Sequence, residues 1–76
     1  MSKTPIDQFI IDKVKEIREK QDVSQEKLSV GAGYYKTLVA NAERLERPEK
    51  YNIYHLNSFA KILKCSIKEF FPDEPM

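Results

Sequence analysis

Cysteine and tryptophan are what this chain of 76 residues most clearly lacks, since it holds one cysteine and no tryptophan. The single Cys65 cannot close an intramolecular disulfide, and there is no second cysteine with which to build a zinc cluster. A chain of this length lies near the lower size limit for folding without such cross-links. We therefore predict one domain over residues 1–76, stabilised by helix packing, to which dimerisation can contribute.

Long apolar runs are also missing. No stretch approaches the length of a membrane-spanning helix, and Met1-Ser2-Lys3 is not followed by the apolar core of a signal peptide. The balance of 41% hydrophobic and 33% charged residues is typical of a soluble helical domain. A cytoplasmic protein without a membrane partner is the resulting expectation.

Neither sign of charge is in excess, because 13 basic residues nearly balance 12 acidic ones and leave a net charge of +1. Domains that bind nucleic acids are commonly basic, so the total charge does not indicate such a partner. The distribution of charge matters more than its sum. Acidic residues cluster near the C-terminus, at Glu69, Asp73 and Glu74.

Residues that carry catalysis are scarce, since the chain has one histidine, one cysteine and only two glycines. We recognise no glycine-rich phosphate loop and no paired acid and base, and a chain this small hardly encloses a pocket. We therefore expect neither an enzyme nor a metal or other cofactor. His55 is expected on an exposed side of its helix.

Five helices are predicted, at about residues 5–20, 25–31, 35–46, 53–63 and 67–71, and no segment alternates like a strand. Their starts are marked by the capping residues Thr4, Ser24, Asn52 and Ser66. The inward positions are expected to be Ile6, Ile10, Val14 and Ile17 in the first helix and Ile53, Leu56, Phe59, Ala60 and Leu63 in the fourth. This pattern indicates an all-α bundle.

Residues 24–45, SQEKLSVGAGYYKTLVANAERL, contain two short helices separated by a turn at Gly33, which can adopt positive φ at low cost. At 100° per residue, the second of these helices separates into two sides. The inward side consists of Leu38, Val39, Ala42 and Leu45, and the outer side of Lys36, Thr37, Ala40, Asn41 and Arg44. Long hydrogen-bond donors around a small residue suit the major groove of DNA, so this is a helix-turn-helix pattern.

The same run resembles the phage-repressor/Cro-type helix-turn-helix domains, also called the XRE family, whose usual sequence is approximately sQeeLAeksGvsrsyisriErG. The matching residues are Gln25, Glu26, Leu28, Gly33, Val39 and Glu43, whereas Ser29 replaces a small alanine and Ala42 an aliphatic residue. The resemblance implies a five-helix, lambda-repressor-like bundle with the motif at helices 2 and 3. It also implies a transcriptional regulator, most commonly a repressor, that binds a palindromic double-stranded operator as a homodimer.

The resemblance assigns two further roles outside the recognition helix. The position of Arg18 pairs with that of Glu43 in the family, which implies a partly buried ion pair between the first and third helices. Two solvated charges are the alternative. The position of Gln25 reaches a phosphate and can brace a side chain of the recognition helix, although an ordinary polar residue of a first turn would look the same. The family usually has a small aliphatic residue at the position of Cys65, which implies a buried thiol, with redox sensing as the alternative.

Lys36 and Thr37 are expected at the front of the recognition helix, where base edges come within reach. Asn41, one turn later, can meet an adenine or a phosphate, and Arg44 is better placed for the DNA backbone. A solvated helix face is the alternative for Lys36 and Thr37. Tyr35 can lie along the DNA backbone or obstruct docking.

The chain departs from the family pattern after Leu45, where a glycine is usual. The third helix is expected to continue to Glu46 or Arg47 before Pro48 ends it. The following loop is about two residues longer than usual, and its Arg47, Lys50 and Tyr51 are either phosphate contacts or ordinary exposed residues. An alternative function is a protein-interaction module, such as the antitoxin of a toxin–antitoxin pair, which the near-zero net charge and Tyr35 favour.

Overall fold

The computed structural model describes residues 3–76, so the first two residues of the predicted domain lie outside this range. It consists of four α-helices and a closing 3₁₀ helix, with no strand among the described residues. The elements are α1 (Pro5–Lys20), α2 (Gln25–Gly31), α3 (Leu38–Glu43), α4 (Ile53–Leu63) and the 3₁₀ helix (Ile67–Phe70). The all-α prediction is confirmed, but the fifth helix is a single 3₁₀ turn. No helix in residues 3–76 is long and apolar enough to cross a membrane.

Side-chain caps define the starts of three α-helices. Thr4 accepts from the backbone amide of Asp7 while the Asp7 carboxylate accepts from the amide of Thr4, which completes a capping box at α1. Ser24 accepts from the amide of Lys27 at α2, and Asn52 caps α4 in the same way. These caps were predicted from the sequence because each depends only on residues three positions apart.

Two sharp turns connect the early helices. Gly33 has φ of 90°, as the glycine position predicts, and its backbone leads the chain from α2 toward α3. Asp22 has φ of 59° in the short connection between α1 and α2, a value that asparagine and aspartate tolerate better than most residues. α1, α2 and α3 can therefore pack against one another across connections of only a few residues.

The hydrophobic core lies where α1, α2, α3 and α4 meet the 3₁₀ helix. Its buried members are Val14, Leu28, Leu38, Val39, Leu56, Phe59, Ala60, Leu63 and Phe70. Two predicted inward positions are wrong, because Ile6 is 37% and Ile53 55% exposed. Both lie in the first turn of their helices, whereas one turn later Ile10 is half-buried and Leu56 is buried. Ile11, which was not among the predicted inward positions of the first helix, is fully buried.

Aromatic side chains pack together at the start of α4. The His55 ring stacks on Phe59 with 6.3 Å between centroids, and Tyr34 meets His55 edge-on at 4.6 Å. The expectation that His55 is exposed is therefore wrong, since it is half-buried. Cys65, expected to be buried, is also half-buried, and desolvation by burial and then the charge of Glu69 raise the pKa of its thiol, which keeps it protonated.

The position of His55 predicts a loss of stability in mild acid. Burial lowers the pKa of its imidazole, and Nδ1 accepts a hydrogen bond from the amide of Asn52, which protonation would abolish. The unfolded chain therefore binds the proton first, and stability should fall as pH decreases from about 6.5 through the lowered folded pKa. We expect the urea midpoint to be lower at pH 5 than at pH 7.5.

His55→Gln is the matched control, because His55 is the sole histidine of the chain. The variant should lose most of the pH dependence between those two values. An equal dependence in both proteins would contradict the assignment and indicate that carboxylates determine the response.

Candidate nucleic-acid interface

The helix that the sequence predicts as the recognition helix is shorter than expected. α3 covers only Leu38–Glu43, so the predicted start at residue 35 and end at residue 46 are both wrong. Lys36 and Thr37 lie in the turn that precedes the helix, where Thr37 occupies the N-cap position with φ of −101° and ψ of 7°. The Thr37 side chain makes no capping hydrogen bond and is exposed. Its hydroxyl therefore remains available to a ligand.

Ser29 of α2 provides the cap that Thr37 does not. Its Oγ accepts from the amide of Val39 at 3.0 Å and donates to the carbonyl of Gln25 at 3.0 Å. The serine is completely buried, so a backbone amide at the start of α3 is satisfied inside the protein rather than by water. The sequence shows Ser29 only as a replacement of alanine, because nothing nearby in the chain reveals a hydrogen bond between two helices.

The C-terminal end of α3 is held by the segment before α1. Lys3 Nζ donates to the carbonyls of Ala42 and Arg44, two groups that the end of a helix leaves unpaired. Arg44 is extended, with ψ of 127°, and ends the helix there. Leu45 is 78% exposed, so the predicted inward position and the continuation toward residue 46 are both wrong.

A buried ionic network joins α1, α2 and α3. Arg18 donates from Nη2 to Glu43 Oε1 at 2.9 Å and from Nε to Oε2 at 3.1 Å. These side chains are only 8% and 4% exposed. Arg18 Nη1 also donates to the carbonyl of Val23, and Gln25 Nε2 donates to Glu43 Oε1 at 2.8 Å. The structure thus brings Arg18 and Glu43 together and adds Gln25 to the pair.

The Gln25 amide has capacity left after this bond. An amide nitrogen carries two hydrogens, and one of them is directed to Glu43. Gln25 is half-buried in the first turn of α2, where free backbone amides favour an anion. The second hydrogen can therefore donate outward while the first keeps α2 aligned with α3.

The outer side of the motif divides into an exposed front and a half-buried centre. Tyr35, Lys36 and Thr37 are exposed, whereas Ala40 and Asn41 are half-buried. Within residues 3–76, Lys36 makes no salt bridge. The turn before α3 therefore presents a free ammonium group and a free hydroxyl side by side.

Every cationic residue in the loop that directly follows α3 is paired with an acid. In the α3–α4 loop, residues 44–52, Arg44 Nη2 lies 2.8 Å from Glu46 and Arg47 Nη2 lies 2.9 Å from Glu49. Lys50 Nζ lies 3.3 Å from Asp7 at the start of α1. The same contacts lower the pKa of Glu49 and raise that of Arg47. Asp7, Glu46 and Glu49 were absent from the sequence-based description of this surface.

Tyr51, a candidate phosphate contact, instead packs inward. Its ring meets Phe59 edge-on with 4.9 Å between centroids. Its hydroxyl is buried without a hydrogen-bond partner among the described residues. Burial raises the pKa of this phenol, and the nearby charge of Glu43 raises it further, so the group is neutral at any physiological pH. The loop thus places this ring close to Glu43 and Arg18 of the ionic network.

Comparison with known proteins was informative at the level of structure alone. No protein-family model matches the chain, and no curated protein sequence matches it significantly. The restriction-modification controller protein C.AhdI from Aeromonas hydrophila superposes with a TM-score of 0.72 and 23% identity, over 84% of this chain and 94% of the controller. The hypothetical transcription factor NHTF from Neisseria superposes with a TM-score of 0.76 and 16% identity, over 95% and 83%.

A third similar structure is that of an enzyme. Hydroxypropylphosphonic acid epoxidase from S. wedmorenis superposes with a TM-score of 0.74 and 23% identity, covering 92% of this chain but only 36% of the epoxidase. At such identities the likeness establishes a shared fold. This chain therefore has the small helical fold of the controller protein and of the Neisseria factor, and membership of the XRE family stays a prediction.

We expect the loss of one carboxylate from the ionic network to destabilise the fold strongly. Glu43→Ala should lower the free energy of unfolding by about 3 kcal/mol, because the buried Arg18 charge then keeps only the exposed carboxylate of Glu19, 3.8 Å away. The measurement is urea denaturation followed by circular dichroism. Glu16→Ala is the control, since Glu16 contacts Lys13 and Lys20 at the surface and should change stability by less than about 1 kcal/mol.

A second variant separates pairing from packing. If Glu43→Ala lowers stability because the Arg18 charge loses its main partner, adding Arg18→Met should restore part of the free energy of unfolding. An apolar side chain at position 18 does not require an ionic partner. Equal losses in Glu43→Ala and Glu16→Ala would contradict the importance of the pair.

The Ser29 cap predicts a local effect on α3. Ser29→Ala should lower the free energy of unfolding by about 1–3 kcal/mol, because the Val39 amide is left buried without an acceptor. Amide exchange measured by NMR should accelerate at Val39 relative to Leu28, whose amide is bonded to Ser24 within α2. Unchanged protection at Val39 would show that another group satisfies this amide.

Proposed function

We propose that this protein is a DNA-binding transcriptional regulator that inserts the turn before α3, and the outer side of α3, into the major groove. One observation carries the proposal: Lys36 and Thr37 are exposed, and their side chains have no partner within residues 3–76, at the front of a helix that is held from three sides. Ser29, Lys3 and the Arg18–Glu43 pair provide those restraints. The shared fold with C.AhdI and NHTF supports it.

Each side chain has a role that its chemistry suits. Lysine donates to guanine O6 and N7, and threonine either hydrogen-bonds or places its methyl group against thymine. Asn41 can pair with an adenine one turn later, from its half-buried position on α3. Gln25 would donate its second amide hydrogen to a phosphate, so that the contact with DNA and the alignment of α3 depend on the same side chain.

The remaining predicted contacts belong to the DNA backbone. Arg44, Arg47 and Lys50 are exposed and can approach phosphates, which determine register and affinity rather than sequence. Tyr35 is 54% exposed beside Lys36 and would lie along the sugar–phosphate chain. In this arrangement the bases are read by the front of α3 and the backbone is held by the α3–α4 loop.

The expected assembly is a homodimer on a palindromic operator. A helix as short as α3 contacts few base pairs, so one copy alone offers limited discrimination. Two copies related by a two-fold axis would read half-sites about one helical turn apart. Occupation of such an operator would most simply block polymerase, which gives repression as the proposed outcome.

A protein-interaction role, such as that of an antitoxin, is the second candidate. It is favoured by large apolar side chains that remain in solvent, because Leu45 and Tyr54 are highly exposed. The epoxidase adds no third candidate, since only 36% of its chain shares this fold. Selection of bound sequences from random duplexes distinguishes the two candidates, because a pure interaction module enriches no sequence.

Sequence readout by Lys36 and Asn41 is the principal prediction. After selection of a consensus duplex, Lys36→Ala and Asn41→Ala should each weaken binding to it by about 1–3 kcal/mol, because each removes a base contact. Binding is measured by mobility shift with a labelled duplex, and circular dichroism verifies folding.

Lys15→Ala is the matched control, because Lys15 is an exposed lysine on α1 and its loss changes the net charge equally. It should leave the affinity unchanged apart from a small general electrostatic effect. Equal affinities of the Lys36, Asn41 and Lys15 variants would remove both residues from the readout, and failure to enrich any sequence would refute the proposed function.

A further inference from the structure

The loop after α3 carries an arrangement of charge that the proposed contacts do not explain. Each of these arginines, Arg44 and Arg47, forms an ion pair with the glutamate two residues after it, which is Glu46 or Glu49. Arg44 donates from Nε to Glu46 Oε2 at 2.8 Å. Arg47 makes a two-point contact with Glu49, through Nε at 3.1 Å and Nη2 at 2.9 Å. A surface built only to attract phosphates would not place an acid on each arginine.

These glutamates differ from the Glu43 carboxylate that organises the core. Glu43 is buried and holds three elements together, whereas Glu46 is exposed and Glu49 half-buried on a loop. Exposed ion pairs of this kind add little to folding stability. Both acids are ionised at neutral pH. Hydrogen bonds from its own backbone amide and from Arg44 lower the pKa of Glu46, and the hydrogen bond from Arg47 lowers the pKa of Glu49. Their effect is therefore expected on binding rather than on folding.

We infer that Glu46 and Glu49 restrain DNA binding by neutralising Arg44 and Arg47, so that sequence-independent affinity stays low. This rests on the proposed function and assigns a role to two residues outside the predicted contacts. A phosphate must displace the glutamate from its arginine and then tolerate the negative charge beside it. Lys36 at the front of α3 has no such competitor and binds without this cost.

The physical consequence concerns the salt dependence of binding. Sequence-independent affinity for duplex DNA comes almost entirely from phosphate contacts that release counterions. An arginine that remains paired with its glutamate makes no phosphate contact and therefore releases no counterion. The two pairs thus remove cationic contacts from the non-specific complex, while base contacts from the turn before α3 are unaffected. The near-zero net charge of the chain is consistent with a regulator that avoids bulk DNA.

The test measures binding of the full chain to a labelled random-sequence duplex of about 30 base pairs, by fluorescence anisotropy at several salt concentrations. Glu46→Gln and Glu49→Gln keep the shape of each side chain and remove its charge. Each variant should bind the duplex more tightly than the wild-type chain. The slope of log affinity against log salt concentration should become steeper by about 0.9, so that affinity falls about threefold more between 50 and 200 mM salt. Glu16→Gln on α1, an acid that contacts lysines, is the matched control.

A double-mutant cycle tests whether the acids act through their arginines. In an Arg44→Ala background, Glu46→Gln should have a clearly smaller effect than in the wild-type chain. An equal effect in both backgrounds would overturn the inference, because simple repulsion by Glu46 would then explain the result. The same cycle with Arg47→Ala and Glu49→Gln gives an independent repeat.

The outcomes distinguish this inference from the function on which it rests. If the wild-type chain binds the duplex but both glutamine variants match it, or the Glu16 control tightens binding equally, the inference fails and the proposed function stands. If no variant binds duplex DNA even at low salt, the proposed function fails and the inference with it.

Discussion

The ion pair of Arg18 and Glu43 is the interaction on which the arrangement of the first three helices depends. Removing two charges from water is costly, and the cost is recovered only when every donor and acceptor is satisfied. Here Glu43 accepts from both Arg18 and Gln25, while Arg18 also donates to the carbonyl of Val23. One buried carboxylate thereby sets the position of α3 against α1 and the start of α2.

The short helix α3 illustrates how tertiary contacts replace intrinsic helix stability. Six residues are far too few for a helix to persist alone in water. α3 persists because Ser29 satisfies an amide at its start, Lys3 satisfies carbonyls at its end, and Leu38, Val39 and Ala42 pack into the core. A rigid element that presents free polar groups at its front is what a binding site requires, since flexible contacts would have to be ordered on binding.

The distribution of charge gives this surface two different regions. The turn before α3 carries an unpaired lysine, whereas the arginines and the lysine of the α3–α4 loop are paired with Glu46, Glu49 and Asp7. A net charge of +1 is therefore compatible with DNA binding only if the exposed front supplies most of the attraction. The basic residues of this face are visible in the sequence but their acidic partners are not, because pairing depends on how the loop folds.

The sequence by itself determined the features that depend on neighbours a few residues apart. These are the caps at Thr4, Ser24 and Asn52, the turn at Gly33, and the inward positions Leu38, Val39 and Ala42. Only the tertiary structure decided where α3 begins and ends, why Leu45 is exposed, and why the hydroxyl of Tyr51 is buried. Each of these depends on groups distant in the chain, such as Lys3 reaching Ala42 or Tyr51 meeting Phe59, and periodicity along one helix contains no information about such contacts.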